Sequence, residues 1–266
     1  MSACFFLLPI ALLAYKALSG SDQHWQYIAD SQIWPAFAGT VSLVLLVVFF
    51  SFLLGMLSAF LVSFCDFPGR RYFWIMFVAP LALPTYVMAF VFLTAFDVHS
   101  PGGLFMSQYF PRWGYFIRSL PVASLFLSLS FYPYFFLFLV TAFSSSGRRY
   151  VQLAQSNAMS FASIFSKVLL PLAKPWMLGA VLLVSLEVMA DFGASFIFNL
   201  NTLSILVYKS WFGFFSFSSA CKVALLLLIV SLVVIRLSQF KSEGQFTVKD
   251  MRKPVANLLT KKRHKY

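Results

Sequence analysis

Residues 37–64 read FAGTVSLVLLVVFFSFLLGMLSAFLVSF, a run without one charged side chain. About 20 apolar residues in helical form cross the roughly 30 Å hydrocarbon layer of a bilayer. This stretch meets that length with residues to spare, and lipid is the solvent it suits. A charged or strongly polar helix could not lie there, and a soluble domain could not bury so long a stretch whole.

Five further windows have the same character: Ala3 to Leu18, Phe73 to Phe96, Leu120 to Phe143, Trp176 to Phe198 and Ser219 to Ser238. The chain has 266 residues, of which 61% are hydrophobic and 11% charged, and its mean hydropathy is +0.84. A soluble domain of this length could not hide that apolar surface in one core. The sequence therefore predicts an all-α, polytopic membrane protein of about six transmembrane helices. Residues 1–240 form the membrane domain, with a loop at 144–175, and 241–266 form a basic tail. The first window is short and lacks a leading basic residue, so a retained helix is preferred over a cleaved signal peptide.

A net charge of +12 raises the question of nucleic-acid binding. Its distribution argues against that, because the basic residues lie between apolar runs and in the tail. They also orient the chain. With the N-terminus cytoplasmic, Arg70, Arg71, Arg148, Arg149, Lys167 and Lys174 share the cytoplasmic side with the basic C-terminal region from Arg236 onward. Arg112, Arg118 and Lys209 lie opposite, with Lys16 and Lys222 near helix ends on that side. The positive-inside bias places both termini in the cytoplasm. Cys4, Cys65 and Cys221 are isolated and read as structural thiols. His24, His99 and His264 fall outside the apolar runs, and no ligand spacing for a fixed metal is present.

Prolines interrupt two windows: Pro80 and Pro84 in the third, Pro133 in the fourth. Each removes a backbone donor. Such breaks persist in membranes where neighbouring helices or a cavity satisfy the freed groups. They mark either moving, pathway-lining segments or harmless packing kinks.

Between the fourth and fifth windows, Val151, Ala154, Ala158, Phe161, Phe165 and Val168 recur every three or four positions. That is helical periodicity with an apolar stripe. Pro171 and Pro175 then punctuate the return to the membrane. Few cations line the stripe, so a protein partner fits it better than a lipid surface.

The stretch QLAQSNAMS from Gln152 to Ser160, followed by LLPLAKP ending at Pro175, resembles the EAA loop of binding-protein-dependent ABC importer permeases. Gln152 stands where that family usually has glutamate, and Ala158 where it has glycine. The resemblance implies a coupling helix seated on a cytoplasmic ATPase. It assigns this role to Gln152, Leu153, Ala154, Ser156, Ala158, Ser160, Pro171 and Pro175. Five blocks in order also resemble the ferric-iron importer permeases: Asp66 to Arg71, Pro80 to Tyr86, Phe131 to Tyr134, Glu187 to Gly193 and Tyr208 to Phe212. They match the first six-helix half of such permeases. The resemblance implies a second permease half, as a homodimer or a separate chain, and a periplasmic binding protein docking on the external loops. Those loops, about Asp97 to Ser119 and Leu200 to Ser218, read by themselves as solvated segments anchored by Trp113 and Trp211. The tail reads as an anionic-lipid contact or, by resemblance, as a linker remnant.

Glu187 and Asp191 lie in the fifth window. Ionised carboxylates at the bilayer centre cost about 2.5–3.5 kcal/mol on insertion scales, so they face an interior or a wet cavity. Four positions apart, they share one face of a continuous helix. Three readings stand: a structural or gating pair, a transient carboxylate site on a cation pathway, and a general acid and base pair. The last lacks an accompanying nucleophile or metal cluster. Pro80, Pro84 and Tyr86 complete the candidate gating or pathway set. No phosphate-binding Gly-x-x-x-x-Gly-Lys-Ser/Thr loop occurs, so ATP and Mg are expected on the partner ATPase and no cofactor on this chain.

The sequence thus points to the permease subunit of an ATP-driven importer in a bacterial inner membrane, with ferric iron as the expected cargo. Thiamine, a polyamine or another small solute is the alternative within transport. An inactive membrane interaction subunit from a split or truncated permease is the alternative outside it.

Overall fold

The computed structural model describes residues 2–19, 24–144 and 160–242. It is helical throughout: α1 (Ser2–Ser19), α2 (Ile33–Phe64), α3 (Arg70–Val78), α4 (Thr85–Phe96), α5 (Pro101–Tyr109), α6 (Trp113–Ile117), α7 (Leu120–Ala142), α8 (Leu170–Ala190), α9 (Gly193–Ile197), α10 (Leu203–Tyr208) and α11 (Phe217–Ser242). A helical turn at Trp25–Tyr27 and a π turn at Ile28–Gln32 lead into α2. Together they form a 40-residue run from Trp25 to Phe64. At 1.5 Å per residue that is about 60 Å, so its ends overhang the apolar layer.

Among the described residues, four helical runs are long and apolar enough to cross a membrane: Trp25–Phe64, Leu120–Ala142, Phe165–Ala190 and Phe217–Ser238. A bent pair makes a fifth when its two arms are counted as one span. Two of the six expected helices are broken, the third at its prolines and the fifth at Asp191. The window Phe73 to Phe96 is not one helix. Arg70–Ala82 and Thr85–Phe96 meet at 92°. Pro80 opens a 3-10 turn at Ala79–Ala82, and Leu83 (φ −105°, ψ 127°) and Pro84 (φ −59°, ψ 134°) are extended. A residue before proline is pushed out of the α region, which accounts for the corner. The first window lies within α1, an 18-residue helix that packs along α11.

Pro133, expected to interrupt its helix, does not. α7 runs through it unbroken, and the ring is buried. Pro171 and Pro175 also lie within helix rather than marking a loop. Pro171 is in the first turn of α8, where its missing N–H is spared a partner, and Pro175 is inside the helix. The π turn Phe165–Leu169 precedes them.

The main core joins α2, α7 and α8. Leu43 and Val47 of α2 belong to one buried cluster with Leu127, Phe135, Phe136 and Leu139 of α7, all essentially fully buried. The face α2 presents there also carries Ser51, Gly55, Ser58 and Ala59. Small side chains of this kind let membrane helices approach closely. The hydroxyl of Ser51 donates to the Ser128 carbonyl of α7 at 3.4 Å. Ile164, Phe165, Val168 and Leu169 pack into the same core. This end of the apolar stripe in the 144–175 loop is thus partly covered by the chain itself.

A second, smaller core holds Ile28, Ala36, Leu203, Leu206 and Val223. Its existence corrects the reading of Leu200 to Ser218 as a solvated loop. Leu203 and Leu206 of α10 are fully buried. The amide of Leu203 donates to Thr40 of α2 at 2.9 Å. A methyl group at Gly39 would collide with the Asn201 carbonyl, so only glycine lets this backbone lie so close to α2. Asp97 to Ser119 is likewise folded into α5 and α6. Trp113 is tied by its ring N–H to the Phe96 carbonyl at 2.8 Å and packs on the main core, so it is not a free interfacial anchor.

Candidate functional site

Two breaks in two crossings face one another. One is the corner at Leu83–Pro84. The other follows α8, whose last helical residue is Ala190; Asp191 (φ −67°, ψ 110°) is extended and α9 restarts at Gly193. The fifth window is therefore interrupted, and Glu187 and Asp191 do not share the face of one continuous helix as their spacing suggested. A backbone that leaves the helix in an apolar layer needs polar partners within the protein. Asp191 gathers them.

One carboxylate oxygen of Asp191 accepts from the Thr85 hydroxyl at 2.7 Å. The other accepts from the Ser195 amide at 3.0 Å and the Ser195 hydroxyl at 3.3 Å. The Asp191 carbonyl accepts from the Ser204 hydroxyl at 3.2 Å. The residue thus caps the first turn of α9 with its side chain, holds the start of α4 and tethers α10. Hydrogen bonds to a charged acceptor are worth about 1.5–3 kcal/mol each, comparable to the insertion cost of a carboxylate. The apposition is close. A methyl group at Gly193 would stand 2.6 Å from the Tyr86 Cβ.

Of the candidate gating or pathway residues, the structure brings Pro84, Tyr86 and Asp191 to this junction. Pro80 lies one short turn away, in the 3-10 segment. Glu187 is half-buried in α8 and, among the described residues, makes no hydrogen bond. It lies within electrostatic reach of Tyr134 on α7. Thr85, Gly193, Ser195 and Ser204 are the members that sequence reasoning did not single out. No group of three or more His, Cys, Asp or Glu able to hold a metal occurs among the described residues.

An aromatic strip continues from the junction. Phe192, Phe196 and Tyr208 form a triangle with centroids 5.2–5.5 Å apart, extended through Phe212 to Trp211. These rings are well exposed in the isolated chain.

Of the residues assigned to ATPase coupling, Gln152, Leu153, Ala154, Ser156 and Ala158 lie outside the described residues. Ser160 is exposed, and its carbonyl accepts from the Ile164 amide at 3.0 Å, opening the helical run into α8.

At the far end of α4, Asp97 pairs with Arg118 at 3.3 Å, beside a cleft of about 460 Å³. Arg118 also donates to the Ile197 carbonyl of α9 at 3.4 Å. The His99 amide holds the Asp97 carboxyl below the usual carboxylate range, with Arg118 adding to the effect against the opposing cost of desolvation.

No family model matches the sequence. Over 189 residues it is 26% identical to the sulfate transport system permease protein CysT of Salmonella typhimurium, covering 71% of this chain and 67% of that one. The sulfate transport system permease protein CysW of Escherichia coli is 25% identical over 195 residues, covering 73% and 66%. A chain of a bacterial alginate ABC transporter, solved with an alginate-pentasaccharide-bound periplasmic protein, superimposes with a TM-score of 0.70 over 91% of both chains, at 16% identity. A chain of the MetNI methionine ABC transporter in an inward-facing conformation gives 0.64 over 84% of this chain and 99% of that one, at 14% identity. The architecture is thus that of a multi-pass, all-α membrane protein with ABC-importer permease-like structure.

Proposed function

We infer that this chain, a non-catalytic transmembrane permease subunit of the binding-protein-dependent ABC importer kind, carries a small inorganic ion across a bacterial inner membrane. The observation that carries the reading is the pairing of two broken crossings at Thr85 and Asp191 within an importer-like helix bundle. Discontinuous helices stapled by a few hydrogen bonds can exchange packing as rigid bodies, which is what alternating access requires. The amphipathic segment from Gln152 to Ser160 takes the motion from a separate ATPase holding ATP and Mg. Both termini and that segment face the cytoplasm. A second permease half completes the pathway, and a periplasmic binding protein delivers the cargo.

Two cargo readings have support. The named relatives are sulfate permeases, which favours a tetrahedral oxyanion. Ferric iron is the second reading and rests on the five sequence blocks described above. Uptake of radiolabelled sulfate and of radiolabelled ferric iron, in cells with and without this gene, separates them. Loss of sulfate uptake alone supports the first reading, and loss of iron uptake alone the second. Unchanged uptake of both ions contradicts the proposal.

A further inference from the structure

Where α2 stops at Phe64 and α7 stops at Ala142, the first turn of α3 leaves an open cleft of about 700 Å³. Its rim is polar: Arg70, Arg71, Ser63 and Ser144. Its wall is apolar, formed by Val62, Ile75 and Val140 with the Trp74 indole. That indole packs edge-on against Phe136, at 6.2 Å between centroids, and stays 42% exposed. Arg70 pairs with Asp66 at 2.9 Å, but Asp66 is almost fully exposed and does not line the cleft. Arg71 has no acidic partner among the described residues, and no carboxylate is among the lining side chains. The cleft is therefore a positive rim above an apolar wall, set at the ends of two membrane-length helices.

We propose that this cleft binds an anionic phospholipid. The phosphate sits between Arg70 and Arg71, and the first acyl carbons lie on Val62, Ile75 and Val140. Basic recesses between membrane helices recognise anionic headgroups in this manner, and an indole at the same level suits the interface. A free phosphate offers the same charge but nothing to cover the apolar wall, and an acidic side chain of a partner protein likewise leaves it bare. An amphiphile satisfies both parts at once.

The test is native mass spectrometry of the full chain in mild detergent, with phosphatidylglycerol, phosphatidylcholine and inorganic phosphate as probes. Phosphatidylglycerol should be retained in preference to phosphatidylcholine. Arg71→Gln should lower that retention about fivefold, the weight of one arginine near an anionic headgroup. Trp74→Ala should lower it too. Asp66→Asn, which frees Arg70, should raise it. Arg71 is exposed, so its substitution leaves the fold intact, and an unchanged melting temperature in detergent confirms this. Equal retention of the two lipids, undiminished phosphatidylglycerol binding to Arg71→Gln, or displacement by inorganic phosphate alone overturns the proposal. Loss of import with lipid binding intact bears instead on the transport reading.

Discussion

The Thr85 hydroxyl donates to the Asp191 carboxylate at 2.7 Å, across 106 positions of sequence. This bond joins the corner of one broken crossing to the break of another. Removing the donor while keeping the shape isolates its weight. Thr85→Val should destabilise the purified protein by about 1.5–3 kcal/mol, the range for a hydrogen bond to a charged group. Thermal unfolding in detergent measures it. Asp191→Asn should cost at least as much, because it also weakens the bonds from Ser195, and the double variant should lose less than the sum.

Glu187 offers the contrast. It is half-buried and makes no hydrogen bond among the described residues, so Glu187→Gln removes a desolvation cost without breaking a partner. Its melting temperature should equal or exceed that of the unsubstituted chain. A loss as large as that of Asp191→Asn would mean that Glu187 carries a structural contact the geometry does not contain.

The packing of α10 on α2 predicts unequal responses from two glycines. Gly39→Ala drives a methyl group into the Asn201 carbonyl, and backbone cannot step aside as a side chain can. Overpacking of this kind costs about 1–3 kcal/mol. Gly213→Ala meets nothing within 4 Å and should leave the melting temperature unchanged or slightly raised. Both variants can be compared in one detergent by the loss of tryptophan fluorescence on heating.

The Asp97–Arg118 pair predicts a dependence on acid. The Asp97 carboxyl is held below its ordinary value, so the unfolded chain binds the proton more readily than the folded one. The contribution is complete above the ordinary carboxylate range, near about pH 4, and is lost as pH falls through the lowered value. The wild type should therefore out-melt Asp97→Asn at neutral pH and converge with it in strong acid. The difference should be small and should shrink with salt, because the pair is exposed.

Uninterrupted apolar runs were legible, their C-terminal ends to within a residue. The windows Phe37 to Phe64 and Leu120 to Phe143 correspond to helices Ile33–Phe64 and Leu120–Ala142, because lipid demands length and apolarity and little else. Pro80 and Pro84 correctly marked a weak point, whereas α7 continues through Pro133, which is buried among its neighbours. Short helices between the long ones escaped notice. Leu203–Tyr208 is too short to span and resembles a loop by length, yet its apolar side chains form a core with α2. The partners of Asp191 were also hidden, because Thr85, Ser195 and Ser204 are ordinary hydroxyl residues whose meaning comes only from the apposition of two helix breaks.

The proposed function requires a separate ATPase that grips the segment from Gln152 to Ser160. Affinity purification of the tagged chain from gently solubilised native membranes tests it most directly, with ATP hydrolysis measured in the eluate and a Leu153→Asp, Ala154→Asp variant run in parallel. The account predicts that an ATP-hydrolysing subunit co-elutes with the unsubstituted chain. It predicts that the variant loses about tenfold or more of that activity, equivalent to about 1.4 kcal/mol of docking. Elution without any ATPase, or an equal yield from the variant, would contradict it.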